Sequence, residues 1–133
     1  MSKKNPSKRV AVALITDDDN NILFGKRRDN RLYTNAGGHL EIGECPYEGM
    51  ARELKEEVGL DALDMKIVKV AKVKDKLLYV FKVKIVTNQE INGSNDPDQE
   101  MSEIRFLDPN DISDQLHVPL EYNLVLQAWL EEE

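Results

Sequence analysis

From Pro46 to Gly59 the chain has one conformation open to it, and that segment constrains everything around it. Pro46 suits the first turn of a helix, where its missing N–H costs nothing. Tyr47, Met50, Ala51, Leu54 and Val58 then recur at helical spacing and form one apolar stripe. Gly59 stands where a helix ends, because glycine tolerates the left-handed conformation of a C-terminal cap. A helix with one apolar stripe is stable only against a second layer.

The flanking sequence supplies that layer as strands. Val10–Thr16 reads as a buried strand, and the polar residues Asp17 to Asn21 turn it into a second, Ile22–Arg28, which predicts a hairpin. A short extended piece, "HLEI", precedes the helix. After it, Met65–Val73 and Leu77–Val86 are rich in β-branched residues, with Asp75-Lys76 as the expected turn. Residues 88–100 read as a loop, Ser102–Asp108 as a further strand, and Pro119 as the start of a last helix with Tyr122, Val125, Leu126 and Trp129 in the core. The expected class is α/β or α+β, a mixed sheet with helices packed on it. With 133 residues, one domain over 10–133 is expected, preceded by a flexible basic segment, 1–9.

The helix carries a second message. Glu53, Glu56 and Glu57 share a face opposite the stripe, near the end of the macrodipole that disfavours negative charge, in a chain whose net charge is already -7. One reading is a solvated acidic face. The other is a divalent cation held by hard oxygen ligands, which selects Mg²⁺, Mn²⁺ or Ca²⁺ over zinc. The acidic balance argues against tracking a nucleic-acid polymer but leaves free nucleotides open. The longest early apolar run, Val10–Ile15, is too short for a signal-peptide core or a membrane span, and the single Cys45 cannot form an internal disulfide. A cytoplasmic protein with no membrane partner is the expectation, and a homodimer is compatible with it.

From Gly38 to Leu60 the chain reads "GHLEIGECPYEGMARELKEEVGL", and this resembles, without a gap, the signature of the Nudix hydrolases of the MutT-like kind. The matching positions are Gly38, Glu44, Arg52, Glu53, Leu54, Glu56, Glu57, Gly59 and Leu60. The resemblance implies an α/β/α sandwich around a mixed sheet, and an enzyme that splits a nucleoside diphosphate from another group by attack of water on phosphorus. It implies Mg²⁺, or Mn²⁺, held by Glu53, Glu56 and Glu57 with the main-chain carbonyl of Gly37. Glu53 would be the base or base-orienting group, Arg52 would orient the carboxylates, and Glu44 would support the loop. Gly38 and Gly59 would be structural. Many relatives supply a further acid, for which Glu100 is preferred to Glu103.

Phosphate also calls for cations, and Lys26, Arg27, Arg28 and Arg31 precede the motif. Strand alternation turns Lys26 and Arg28 one way and Arg27 the other, and Arg27 is the preferred substrate contact. His39 is a second phosphate candidate, and His117 with Tyr122 and Asn123 could meet a base, although each is also plain surface chemistry. Cys45 is assigned no chemistry.

The resemblance fixes the substrate less well. The proline that ADP-ribose-cleaving relatives carry about sixteen residues beyond the motif is Lys76 here, and Tyr79 lies just outside the window of a diadenosine polyphosphate subgroup. Small size and "GGHLE" most resemble nucleoside triphosphate pyrophosphohydrolases, which release a nucleoside monophosphate and pyrophosphate. Dinucleoside polyphosphates and ADP-sugars are the alternatives, and a non-catalytic nucleotide sensor is the alternative of another class. Ala36 replaces the common proline before the glycine pair, which predicts a less rigid substrate-side loop.

Overall fold

The structure, a computed structural model, describes residues 8–85 and 101–132. Among them the chain forms strands β1 (Arg9–Ile15), β2 (Ile22–Arg27), β3 (Tyr33–Thr34), β4 (Gly37–His39), β5 (Ala62–Val73), β6 (Lys76–Ile85) and β7 (Met101–Leu107). The helices are α1 (Pro46–Val58) and α2 (Leu124–Glu131), with single 3-10 turns at Pro109–Ile112 and Leu120–Tyr122.

Two sheets result. One is mixed, ordered β4-β1-β6-β5, with β1 parallel to β6 and antiparallel to β4. The other is antiparallel, ordered β3-β2-β7. Strand β1 is apolar on both faces because both are covered, as a strand inside a layered fold must be. Ala11, Ala13 and Ile15 meet α1 through Met50, Leu54 and Val58, together with Phe81 and Val83 of β6. Leu14 and Val80 point the other way, where Val125, Leu126 and Ala128 of α2 close the second core. The expected α/β/α sandwich is therefore present. No helix among the described residues is long and apolar enough to cross a membrane.

Several local expectations need correction. β1 and β2 do not form a hairpin: one bridge joins Thr16 to Ile22, and the strands then part into different sheets. The carboxylate of Asp17 accepts from the N–H groups of Asp19 and Asn21, and Asn20 adopts a φ of 63°, so the connection is a knot of local bonds that redirects the chain. Arg28 lies in the turn after β2. The β5–β6 turn is Lys74-Asp75, one residue earlier than expected, with Val73 paired to Lys76 and Lys74 at a φ of 58°. Arg9 belongs to β1, and the Lys8 carbonyl accepts from Leu77 N–H at 2.7 Å, so ordered structure reaches into the segment expected to be flexible.

On α1, Met50, Leu54 and Val58 are buried as expected but Ala51 is exposed. Tyr47 is part-exposed and lays its ring edge-on to Phe81, with centroids 5.0 Å apart. Gly59 caps the helix at φ 69°. Pro119 opens only a 3-10 turn, and α2 starts at Leu124, because the Asn123 side chain accepts from Leu126 N–H and so sets the first turn. Tyr122, expected in the core, falls before that cap and is 72% exposed.

Candidate active site on helix α1

The motif's glycines let β4 lie directly over α1. A side chain at Gly37 would run into the backbone of Ala11 and Val12 on β1, and one at Gly38 would run into the Glu53 carboxylate. With neither present, Gly37 N–H donates to Glu57 Oε1 at 2.7 Å, and Glu53 tucks beneath Gly38.

Arg52 organises the acids around itself. Its Nε and Nη2 grip Glu44 in a two-pronged pair, each at 3.0 Å. Its Nη1 donates to Glu53 Oε2 at 3.4 Å and Glu56 Oε1 at 3.3 Å. Nη2 also reaches the His39 carbonyl at 3.3 Å. One guanidinium thus serves three carboxylates.

The acids respond in opposite directions. Hydrogen bonds from Arg52 hold Glu44 below the usual carboxylate range. Burial pushes Glu53 above it, the neighbouring Glu56 adds to the rise, and Arg52 opposes without cancelling it. The Glu53 and Glu44 side chains are equally shielded, at 12% and 13% exposure, and what separates them is the two-pronged grip of Arg52 on Glu44.

These residues suit a hard divalent cation. The donors are all oxygens, they lie on one helical face under a strand whose backbone approaches closely, and the single arginine leaves them with surplus negative charge. Among the described residues no three acidic, histidine or cysteine side chains already converge as a metal cage. The reason is visible: Glu57 is turned to Gly37 N–H, and Glu53 and Glu56 to Arg52.

The other expected contacts are placed differently. Gly38 faces α1, so strand alternation turns the His39 ring to the opposite face of the sheet, where Nε2 lies 2.8 Å from Lys76 Nζ. Burial and then Lys76 lower the pKa of that ring. Arg27 forms a two-pronged pair with Asp29, at 2.9 and 2.6 Å. Lys26 pairs with Glu103 at 3.4 Å and sits 5.2 Å from the Tyr33 ring centroid. Glu103 itself occupies the irregularity in the β2–β7 pairing, at a φ of 44°. Glu100 lies outside the described residues. Exposed Cys45 precedes α1 as its N-cap. Ala36 is buried, and its carbonyl accepts from Ala13 N–H at 2.9 Å, which ties down the loop expected to be slack.

Asn123 uses both ends of its amide on the fold, Oδ1 on Leu126 N–H and Nδ2 on the Val118 carbonyl, each at 3.1 Å. Asn123→Ala is therefore expected to lower stability by about 1–2 kcal/mol, read from the urea midpoint, with KM for the substrate unchanged. A raised KM at unaltered stability would restore it as a substrate contact.

Two further contributors lie outside the expected set, one with a weak sequence signal and one with none. Gly49 is buried in the first turns of α1, and a side chain there would displace Leu40 and the Glu44 carboxylate. A glycine inside an otherwise good helix, costing roughly 1 kcal/mol against alanine, was the sign of such a close approach. Arg9 donates from Nη2 to the carbonyls of Glu44, at 2.8 Å, and Glu41, at 3.1 Å. Nothing in the local sequence announces that.

The family model described as NUDIX domain matches residues 6–127. Over 59 residues the chain is 34% identical to an RNA pyrophosphohydrolase of Francisella tularensis subsp. mediasiatica, covering 44% of this chain and 37% of that protein. Over 56 residues it is 36% identical to an 8-oxo-dGTP diphosphatase of Escherichia coli, covering 39% and 43%. Over 54 residues it is 44% identical to an ADP-ribose pyrophosphatase of Methanocaldococcus jannaschii, covering 38% and 32%. The matches span less than half the length of each of these relatives. Among solved structures, the E. coli dihydroneopterin triphosphate pyrophosphohydrolase aligns over 98% of this chain and 100% of its own, with a TM-score of 0.75 at 15% identity, a likeness of fold.

Proposed function

The chain belongs to the NUDIX family, and from that premise we propose that it is a Mg²⁺- or Mn²⁺-dependent pyrophosphohydrolase that splits a nucleoside triphosphate into nucleoside monophosphate and pyrophosphate. The supporting observation is the acidic array on α1, with Glu53 raised by burial and Glu44 lowered by Arg52 on the same guanidinium. Arg52 holds Glu53, beneath Gly38, and Glu56 on one face, and the raised Glu53 suits a group that must take up a proton. A sensor domain has no need of that arrangement.

Glu53, Glu56 and Glu57, with the Gly37 carbonyl, are the residues that would hold the cation, and Glu100 is proposed as a further acid. When bound, the cation supplies positive charge to the phosphoanhydride and acidifies water. Glu53 takes the proton as a water oxygen attacks phosphorus and the bridging P–O bond between the α- and β-phosphates breaks, which releases nucleoside monophosphate and pyrophosphate. Arg52 keeps Glu53 and Glu56 aimed, and Glu44 keeps Arg52 aimed. Gly38 leaves room for the acid that must move a proton. Arg27 is proposed as a substrate contact once it leaves Asp29, with Lys26, on the other face of β2 and paired with Glu103, as the alternative. The proposed setting is cytoplasmic.

A second reading is favoured by the relative named an RNA pyrophosphohydrolase: the triphosphate at an RNA 5′ end. A panel of nucleoside triphosphates, 5′-triphosphorylated RNA, dinucleoside polyphosphates and ADP-sugars, run in heavy-oxygen water, tests both. The nucleoside triphosphate is expected to be turned over best, and label in the monophosphate or in pyrophosphate reports which phosphorus the water attacks. A best substrate of ADP-ribose would overturn the substrate class, and no turnover of any member with Mg²⁺ or Mn²⁺ would overturn the enzyme.

A further inference from the structure

We propose that Arg9, on β1 and outside the motif, is a positioning residue that holds the α1 carboxylates in working order through Glu44 and Arg52. The inference rests on the role just given to those carboxylates. The segment from Leu40 to Cys45 joins β4 to α1, and Arg9 grips it at both ends. Its carbonyl accepts from Leu40 N–H at 2.9 Å, and its Nη2 donates to the Glu41 and Glu44 carbonyls at 3.1 and 2.8 Å. Within the loop, Glu44 Oε1 accepts from Glu41 N–H at 2.9 Å as well as from Arg52. The main chain of Glu44 is thereby held by Arg9 at its carbonyl and by the Glu41 carbonyl at its N–H, 2.9 Å away, and its side chain by the loop and Arg52.

The consequence passes along a line of bonds. A carboxylate on a fixed backbone sets the roll of the guanidinium it binds in two-pronged fashion, because that pair is planar. The roll of Arg52 in turn decides whether Nη1 stays between Glu53 and Glu56. Cys45 offers no side-chain cap at the start of α1, so the grip of Arg9 on the residue before it has no substitute in a side-chain cap. Without Arg9, the Glu44–Arg52 pair keeps only the bonds inside the loop and the 3.3 Å contact of Nη2 with the His39 carbonyl, and its aim at Glu53 and Glu56 loosens.

Two readouts on the full chain test this. The first is the solvent exchange of the Arg52 Nε–H, followed by NMR and assigned by its disappearance in Arg52→Lys. Arg9→Ala is expected to speed that exchange at least about tenfold. The second is nucleotide turnover, where kcat should fall about 10–100-fold, as for residues that orient metal ligands, while KM stays within about twofold. Arg9→Lys, which keeps the charge on a shorter side chain without the planar head that aims Nη2 at both carbonyls, should recover part of both. Lys8→Ala, which removes only a surface pair with Asp75, should change neither. Should Arg9→Ala fail to fold, Arg9→Gln is measured in the same way. Unaltered Arg52 exchange overturns the inference, as does faster exchange with kcat retained. Absence of turnover in the wild type overturns the proposed activity instead, and the exchange measurement still decides what Arg9 holds.

Discussion

Glu53→Gln is expected to lower kcat by about 10²–10⁴-fold, the range for loss of a positioned proton acceptor, and to raise the melting temperature of the protein in chelator. The two effects come from one cause. Burial lifts the Glu53 pKa above its ordinary value despite Arg52, so the charged form is disfavoured on folding. A carboxyl whose folded pKa is raised favours the fold below its unfolded pKa, and that contribution is lost as pH rises through the folded value. Glutamine carries no such charge. Its advantage should be absent near pH 4, grow toward pH 8, and reach about 2–4 °C, since a kilocalorie moves a domain of this size by a few degrees. A saturating divalent cation should reverse the order, because ligand-linked stabilisation falls when a ligand oxygen becomes an amide. Turnover of the variant at the wild-type rate, or a melting difference flat across pH in chelator, would remove Glu53 from the centre of the mechanism.

How much of this is legible in the sequence follows from where each signal lies. Helix α1 could be bounded because Pro46, the stripe and Gly59 are local and agree. The layered fold followed because β1 is apolar on both faces, a pattern with few homes outside a covered sheet, while β6 alternates an apolar face with a partly polar one that carries Lys82 and Lys84. The β1–β2 hairpin failed for the opposite reason. A polar run such as Asp17–Asn21 suits a hairpin turn and a crossing between sheets equally well. What decides is that β1 pairs with β6, more than sixty residues away in sequence.

The misplaced side chains have similar origins. Tyr122 shares helical spacing with Val125, Leu126 and Trp129, yet Asn123 between them is a strong N-cap residue, and heeding it would have excluded Tyr122 from the helix. His39 seemed close to phosphate because it follows two motif glycines. Once Gly38 faces the carboxylates, alternation sends its neighbour to the other side. The acids themselves were readable from spacing alone, but their order around Arg52, the room left by Gly49 and the grip of Arg9 depend on contacts that sequence proximity does not encode.

Arg52 is where stability and activity are most tightly joined, and Arg52→Ala is expected to damage both. Removing one partner of a poorly solvated charge pair costs about 3–5 kcal/mol when the pair is fully buried. Arg52 is 27% exposed, so about 2–3 kcal/mol is the expectation here, measured as a lower urea midpoint with unchanged slope. The loss should depend on pH, with Glu44 and Glu53 pulling in the same direction. Glu44 has a depressed folded pKa, so its stabilisation by Arg52 is present above its unfolded pKa and disappears as pH falls through the folded value. Glu53, already raised, rises further once Arg52 is gone, and its penalty also fades as it takes up a proton. The difference between wild type and variant should therefore be largest near pH 8 and shrink steadily below about pH 5. Arg52→Lys keeps a charge but cannot grip Glu44 while reaching Glu53 and Glu56, so it should recover stability at pH 7 more than it recovers kcat. A stability loss independent of pH would mean that packing of the arginine stem, and not its charge, holds this end of the helix.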